Sequence, residues 1–565
     1  MSVKARARLL AVGVLLGALL LALPASSAGP KQKRLTGGKQ LTHFSQAVAL
    51  RFWAENPEFA PKELTERLEQ VRAEEHPGKD RGKPGAPGAA GIVFNADEFG
   101  LPQNEESVTA CRANTSYVLE GTNDYRGLLD PLGNFTGWHF SNDGGRSLAN
   151  EGLLPPVPLL SDPATEVPSG GDPVMVAGKG CAMFGGGLAY DAVDPFSNPN
   201  GIAVSKSSPS ILASCDTAAD PANPDCWPTR RLVAEGTGIP DPTPENPGHF
   251  LDKPWFDVGW SGDAEYVWIA YSDFAITGPG DLDFTAEIFA VRCTSDLATC
   301  TEPIPISVDD VDVQFADVTI GPDGRVYVTW SQIFGELTEE PQTFVHKLRV
   351  AEAGSTTFGP EKIVAVEELP IPFGGLLNAN DFRIATYPKN AVAPHRGNSR
   401  VFVVWDACRY RPLDTVCEEA YVKLTWSDDL GDTWADPVEL SRGGNNYFPS
   451  IDWDGERRGA DLAFTWFSNR RDGQFDNRQD IEFASVDVSR PWDVEDRRVL
   501  TSGMNESEAD PLLGGLFIGD YIEVAAVGDR AWVGYNANYR QKELLGEGVP
   551  VPQQDNYLDR VRFGG

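Results

Sequence analysis

Residues 312–366 contain QFADVTI (314–320), GPDG (321–324), RVYVTW (325–330) and FVHKLRVA (344–351), then a turn, FGP (358–360) and KIVAV (362–366). Apolar and polar residues alternate along each run, and glycine, proline or aspartate separates the runs. That is the signature of four antiparallel strands joined by turns. The same order recurs at 252–307, 381–441 and 445–502, with looser copies at 106–160 and 172–235 and a last unit from residue 514 onward. Four-stranded units repeating at roughly 60–80 residues specify an all-β β-propeller. Seven modules can be counted. The last has no clear fourth strand and can complete a blade begun at the N-terminus, which keeps six blades open as the alternative to seven.

The rest of the 565-residue chain fits that reading. Hydrophobic residues make up 41% and charged residues 23%, a globular profile, and 57 glycines with 43 prolines supply the turns. The 82 acidic against 48 basic residues give a net charge of -34. A surface of that sign repels a phosphate backbone, which excludes general nucleic-acid binding and leaves neutral glycans or cations as partners. Lys4, Arg6 and Arg8 precede an apolar run over residues 9–23, and Pro24 with Ser26-Ser27-Ala28 follows. This is the pattern of a cleaved export signal over 1–28, too short for a membrane span. Residues 29–95 read as a leader of two short helices (42–55 and 61–75) and a Gly/Pro linker, with the propeller over 96–565. The expected product is secreted, soluble and monomeric.

Eight cysteines suit an oxidising compartment and allow 105 pairings. The preferred connectivity has three local bridges, Cys215–Cys226, Cys293–Cys300 and Cys408–Cys417, and one longer bridge between neighbouring modules, Cys111–Cys181. No CxxC or HExxH occurs and the six histidines are scattered, so no zinc site and no cofactor are expected. Acidic loops such as 472–480 offer oxygen ligands to a structural calcium without EF-hand spacing.

Two turns between third and fourth strands are sharper. Ser427-Asp-Asp-Leu-Gly-Asp-Thr-Trp434 fits Ser-x-Asp-x-Gly-x-Thr-Trp, and Ser141-Asn-Asp-Gly-Gly-Arg-Ser-Leu148 fits it with Leu for Trp. The Asp can accept nearby amides, the Gly permits positive φ, and the aromatic pins the turn to its blade. These residues resemble the Asp-box, or BNR, repeats of the sialidase superfamily, over about residues 100–565. Leu251-Asp-Lys-Pro-Trp255 and Phe517-Ile-Gly-Asp-Tyr521 also resemble segments of its secreted members. The resemblance implies a propeller, six-bladed in sialidases, with its Asp boxes on the face away from the active site. Sialidases carry a Tyr/Phe-Arg-Ile-Pro segment near the start of the catalytic domain; the nearest match here is Phe382-Arg383-Ile384-Ala385, mid-chain and without the proline.

Propeller topology places the second-to-third connections and the links between blades on one mouth of the channel. Catalytic candidates there are Asp124, Asp406, Asp520 and Tyr521, with Glu523 as a base beside Tyr521. Binding candidates are Arg126, Asp252, Lys253, Asp273, Arg383, Arg409 and Arg470, Arg383 as the anchor of an anion. Arginine can hold a carboxylate, and paired carboxylates or an activated tyrosine can split a glycosidic bond. The bland reading is an Asx turn at each strand end. Trp330, Trp405 and Trp466, at matching points of second strands, are expected to be packing residues. The expected function is glycoside processing on extracellular polysaccharide or glycoconjugate, with a non-catalytic glycan- or protein-binding propeller as the alternative.

Overall fold

Alternating strands need partners on both edges, and the chain supplies them by folding into radial sheets. The computed structural model describes Val48 and residues 91–564, with breaks at 241, 278–283, 309, 311, 336–341, 370–381, 383, 385, 410–416, 456–460, 474–476, 511, 514–516 and 545–549. The export signal and almost all of the leader therefore lie outside the described residues; Val48, helical and fully buried, belongs to the apolar cluster of blades 2 and 3.

Seven four-stranded antiparallel sheets form the blades. Their innermost strands are Gln103–Ala110 (blade 1), Ser169–Ala177 (blade 2), Gly248–Ser261 (blade 3), Val313–Ile320 (blade 4), Lys389–His395 (blade 5), Asn446–Trp453 (blade 6) and Glu523–Val527 (blade 7). Blades 1–6 each use four consecutive strands. Blade 7 takes Glu523–Val527, Arg530–Ala537 and Asp555–Arg562 from the end of the chain and its outermost strand, Ile92–Val93, from near the start. The count is thus seven, and the missing fourth strand of the last module is the N-terminal one. Ile92 pairs with Leu558 and Val93 with Tyr557, and the Phe94 amide continues the pairing to the Asn556 carbonyl at 3.0 Å. This closure covers the last blade's edge, which would otherwise offer unpaired amides to another chain.

Apolar side chains fill the gaps between blades. Trp268, Trp330, Trp405, Trp466 and Trp532 occupy second strands and are all buried, as packing residues should be. All four expected disulfides form; Cys111–Cys181 ties blade 1 to blade 2, while Cys215–Cys226 and Cys293–Cys300 close third-to-fourth turns. The two Ser-x-Asp-x-Gly turns are built alike. Asp429 accepts from the Thr433 amide (2.8 Å) and hydroxyl, as Asp143 does from Ser147, and the Gly431 and Gly145 amides donate to Ser427 and Ser141.

The inner edge of each blade faces the channel and has no strand to pair with. Side chains of the preceding blade take over as acceptors. The Ser107 hydroxyl accepts the Met175 amide (2.9 Å), Asn200 the Leu251 amide (2.9 Å), Asp257 the Ile320 amide (2.7 Å) and Asp317 the Asn390 amide (2.6 Å). Asp406 faces the Phe448 amide. Asp452 accepts the Ala526 amide (2.7 Å) and Glu523 the Val108 amide (2.8 Å), which brings the series back to blade 1. Buried backbone donors are thereby satisfied all round the ring.

Candidate functional site

Five innermost strands break register at the same level, between Asn104/Ser107, Gly171/Val174, Asp252/Trp255, Gln314/Asp317 and Tyr447/Ser450. In each bulge the first extra residue has positive φ: Glu105 (59°), Asp172 (49°), Lys253 (51°), Phe315 (66°) and Phe448 (54°). None is glycine, and all are buried. A left-handed conformation at a bulky residue costs roughly 1–3 kcal/mol and persists where the surroundings over-determine it, commonly at functional sites. Five such residues around one axis mark the upper channel as the place to look.

Side chains from several blades meet at that level. Tyr521, from the segment entering blade 7, reaches across to blade 2 and donates its hydroxyl to the Pro173 carbonyl at 2.9 Å. Its ring meets Trp255 of blade 3 edge-on, centroids 5.3 Å apart. The Lys389 ammonium of blade 5 lies 2.7 Å from the Trp255 ring centroid, 5.8 Å from that of Tyr521 and 3.7 Å from Asp317. Burial lowers the Lys389 pKa to about 8 against the pull of Asp317 and Glu523. Glu523 holds the Ser107 hydroxyl (2.6 Å) and the Val108 amide on one carboxyl oxygen. Burial raises its pKa to about 8, so it carries a proton at neutral pH. Burial, followed by the nearby Glu105 and Asp172 carboxylates, also pushes the Tyr521 phenol well above its ordinary range.

Of the residues singled out by sequence, Asp520, Tyr521, Asp252 and Lys253 stand in this axial region. The Asp520 amide donates to Glu105 (3.2 Å), and Lys253 pairs with Asp252 (3.2 Å) beside Trp255. Asp124, Arg126, Asp273, Arg409 and Arg470 are held within their own blades. Asp124 caps the short helix Tyr125–Leu129 and binds Arg126 through two Nε contacts of 2.9 Å, and Glu151 takes the other side of the guanidinium at 2.7 Å. Burial opposes the charge on Arg126, but these two carboxylates outweigh it and raise its pKa well above normal. Asp273 accepts from His249 at 2.9 Å, and that bond raises the histidine's pKa. Arg409 pairs with Glu439 (2.6 Å) and Glu419 (3.0 Å), and Arg470 with Glu482 (2.7 Å). Asp406 is buried between blades 5 and 6, where burial lifts its pKa to about 7 and its Oδ1 meets no donor. Arg383 lies outside the described residues.

Sequence reading passed over Glu105, Asp172 and Lys389, and took Trp255 only as part of a segment. A signal existed for some of them: Pro173, Pro254 and Pro449 each follow the positive-φ residue of a bulge. Proline cannot donate to a sheet ladder, so inside a strand it points to an edge or a bulge. Tyr521→Phe removes one hydrogen bond without changing shape. We expect it to cost about 1 kcal/mol, read as a fall of about one degree in Tm.

The described residues contain no group of three or more His, Cys, Asp or Glu placed to hold a metal ion, and no helix long and apolar enough to cross a membrane. No protein-family model and no curated protein matches the chain. Among solved structures it is similar to a Hadza microbial sialidase (13% identity, TM-score 0.40), covering 68% of this chain and 64% of that one. It is also similar to the Penicillium chrysogenum α-L-arabinanase complexed with arabinobiose (12% identity, TM-score 0.39), covering 69% of this chain and 94% of that one. A third is the Trypanosoma rangeli sialidase in complex with sialic acid (13% identity, TM-score 0.37), covering 72% of this chain and 57% of that one. The propeller assignment rests on the strand pairing described above.

Proposed function

We propose that this protein is an exported propeller that cleaves glycosidic bonds of extracellular glycans at the mouth of its channel. The observation that supports this reading is a pair of buried carboxyl groups, Asp406 and Glu523, whose pKa values burial raises to about 7 and about 8, within reach of acid catalysis near neutral pH. Splitting an acetal requires an acid to protonate the leaving oxygen, and enzymes obtain one by burying a carboxyl group. Asp406 takes the role of acid, with Asp520 or Tyr521 as the opposing nucleophile and Arg383 as the anchor of any acidic group on the substrate. The purified protein should release sugar from at least one member of a panel of polysaccharides and sialosides. Asp406→Asn should lower that turnover about hundredfold, the size of a lost general acid. Arg383→Ala should weaken binding or turnover of an acidic substrate about tenfold, with an almost unchanged Tm.

A second reading, a non-catalytic propeller that binds glycan or protein, is favoured by a different observation. Arg126, Arg409 and Arg470 are each neutralised by a carboxylate of their own blade, and the Tyr521 hydroxyl is committed to the Pro173 carbonyl. Saturable glycan binding with no sugar released from any member of the panel would decide for it.

A further inference from the structure

The junction of blades 5 and 6 gathers arginines on the mouth side, away from the axial cluster. Arg470 follows the second strand of blade 6, Arg497 sits on that blade's outermost strand, Val494–Val499, and Arg442 is exposed in the link from blade 5. Arg497 pairs across from Ala484, and Glu482 lies two residues before Ala484 on the same strand. Strand alternation therefore puts Arg497 and Glu482 on one face. Ala484 packs on that face with Phe402, Val404 and Leu424 of blade 5, so both charged side chains look into the junction.

The charges there do not balance pair by pair. Glu482 takes Arg470, while Glu419 and Glu439 take Arg409. Among the described residues, neither Arg442 nor Arg497 has a carboxylate at ion-pair distance. Arg497 is half-buried, and its Nε and Nη1 are fully covered without meeting any acceptor. Burial and the neighbouring Arg442 lower its pKa, with Glu482 opposing and Arg470 adding to the fall. A covered guanidinium is expected to donate, and two idle donors beside two further arginines describe the surroundings of a missing anion.

We propose that Arg497, with Arg442 and Arg470, binds an oxyanion between blades 5 and 6, the carboxylate or sulfate group of an acidic glycan. The site would anchor an acidic stretch of chain on the rim, and it would bind whether or not the axial cluster cuts glycans. The competing arrangement is a small shift that lets the second oxygen of Glu482, which also lacks a partner, accept from Arg497.

Calorimetric titration at low ionic strength with sodium sulfate, trigalacturonic acid and neutral maltotriose tests the site. Saturable binding of trigalacturonate, with or without sulfate, is expected, with none of maltotriose. Arg442→Gln and Arg497→Gln should each weaken binding tenfold or more. Binding of trigalacturonate would identify the anion as glycan-borne, whereas binding of sulfate alone would overturn the glycan assignment in favour of a free inorganic ion. Arg442 is exposed, so its variant should keep the wild-type Tm and separate lost binding from lost folding. Sugar release from the panel, assayed separately on the wild type and on Arg442→Gln, keeps failure of glycan cleavage distinct from failure of the rim site. Absence of binding by the wild type at millimolar concentrations, or binding unaffected by both replacements, would overturn the proposal in favour of the Glu482 arrangement.

Discussion

A chain beginning at residue 96 is expected to be far less stable than one beginning at residue 91, although only five residues separate them. Those residues carry the outermost strand of blade 7, and with it Phe94, fully buried among Val108, Val118, Trp532 and Leu558. Asn95 is also lost, whose amide donates to Asn556 (2.7 Å), Asp555 (3.2 Å) and Gln103 (3.2 Å). Phe94→Ala alone should cost about 3–5 kcal/mol, the range for truncating a buried phenylalanine. The five-residue deletion should exceed it, because it also bares the Asp555–Arg562 strand edge and leaves buried acceptors without donors. Urea unfolding would show the midpoint shift. Equal midpoints for the two chains would mean that blade 7 is held without its fourth strand.

The second large effect is on pH. Burial raises Asp257, Asp452 and Asp559 to about 6, Asp406 to about 7 and Glu523 to about 8. Each of these groups binds its proton more tightly folded than unfolded. Their contribution is complete below about pH 4, the unfolded carboxyl pKa, and is lost as pH rises through 6 to 8. Groups shifted the other way, such as Asp472 at about 2, where Arg478 stabilises the charge, add stability only as pH rises from about 2 to 4. The stability maximum should therefore fall near pH 4–5. The loss by pH 8 should be a large part of the total stability, since the strongly shifted groups act in the same direction. Above pH 8 the lowered Lys389 gives a small part back. Thermal melting across pH 4–9 measures this directly, and Asp406→Asn with Glu523→Gln should flatten the upper limb. A Tm that rises from pH 5 to 8 would contradict these shifts.

The blades were legible because their signals are local. QFADVTI, GPDG and RVYVTW encode two strands and a turn in 17 consecutive residues, and the three short bridges span separations of 7, 9 and 11. A gap in the last module was legible, but not the strand that fills it: Ile92–Val93 is two residues long and acquires meaning only from Leu558 and Tyr557. The site divides in the same way. Topology put Arg126, Arg409 and Arg470 on the mouth face. Their neutralising partners Glu151, Glu439 and Glu482 stand 25, 30 and 12 residues away on other strands, where only the fold brings them into reach. Lys389 was passed over because nothing in its flanking residues foretells Trp255 above it.

The side-chain acceptors that receive the innermost-strand amides point one way round the ring: blade 1 serves blade 2, blade 3 serves blade 4, and blade 7 serves blade 1. A chain emerging from its N-terminus would thus lay down each acceptor before the amide it is to receive. Every new blade docks on a surface that already wants it, except the first. Val108 must wait for Glu523, more than four hundred residues later, and Phe94 waits about as long for Asn556. The earliest blade synthesised is the last one satisfied, so a nascent chain keeps unmet amides at blade 1 until blade 7 arrives.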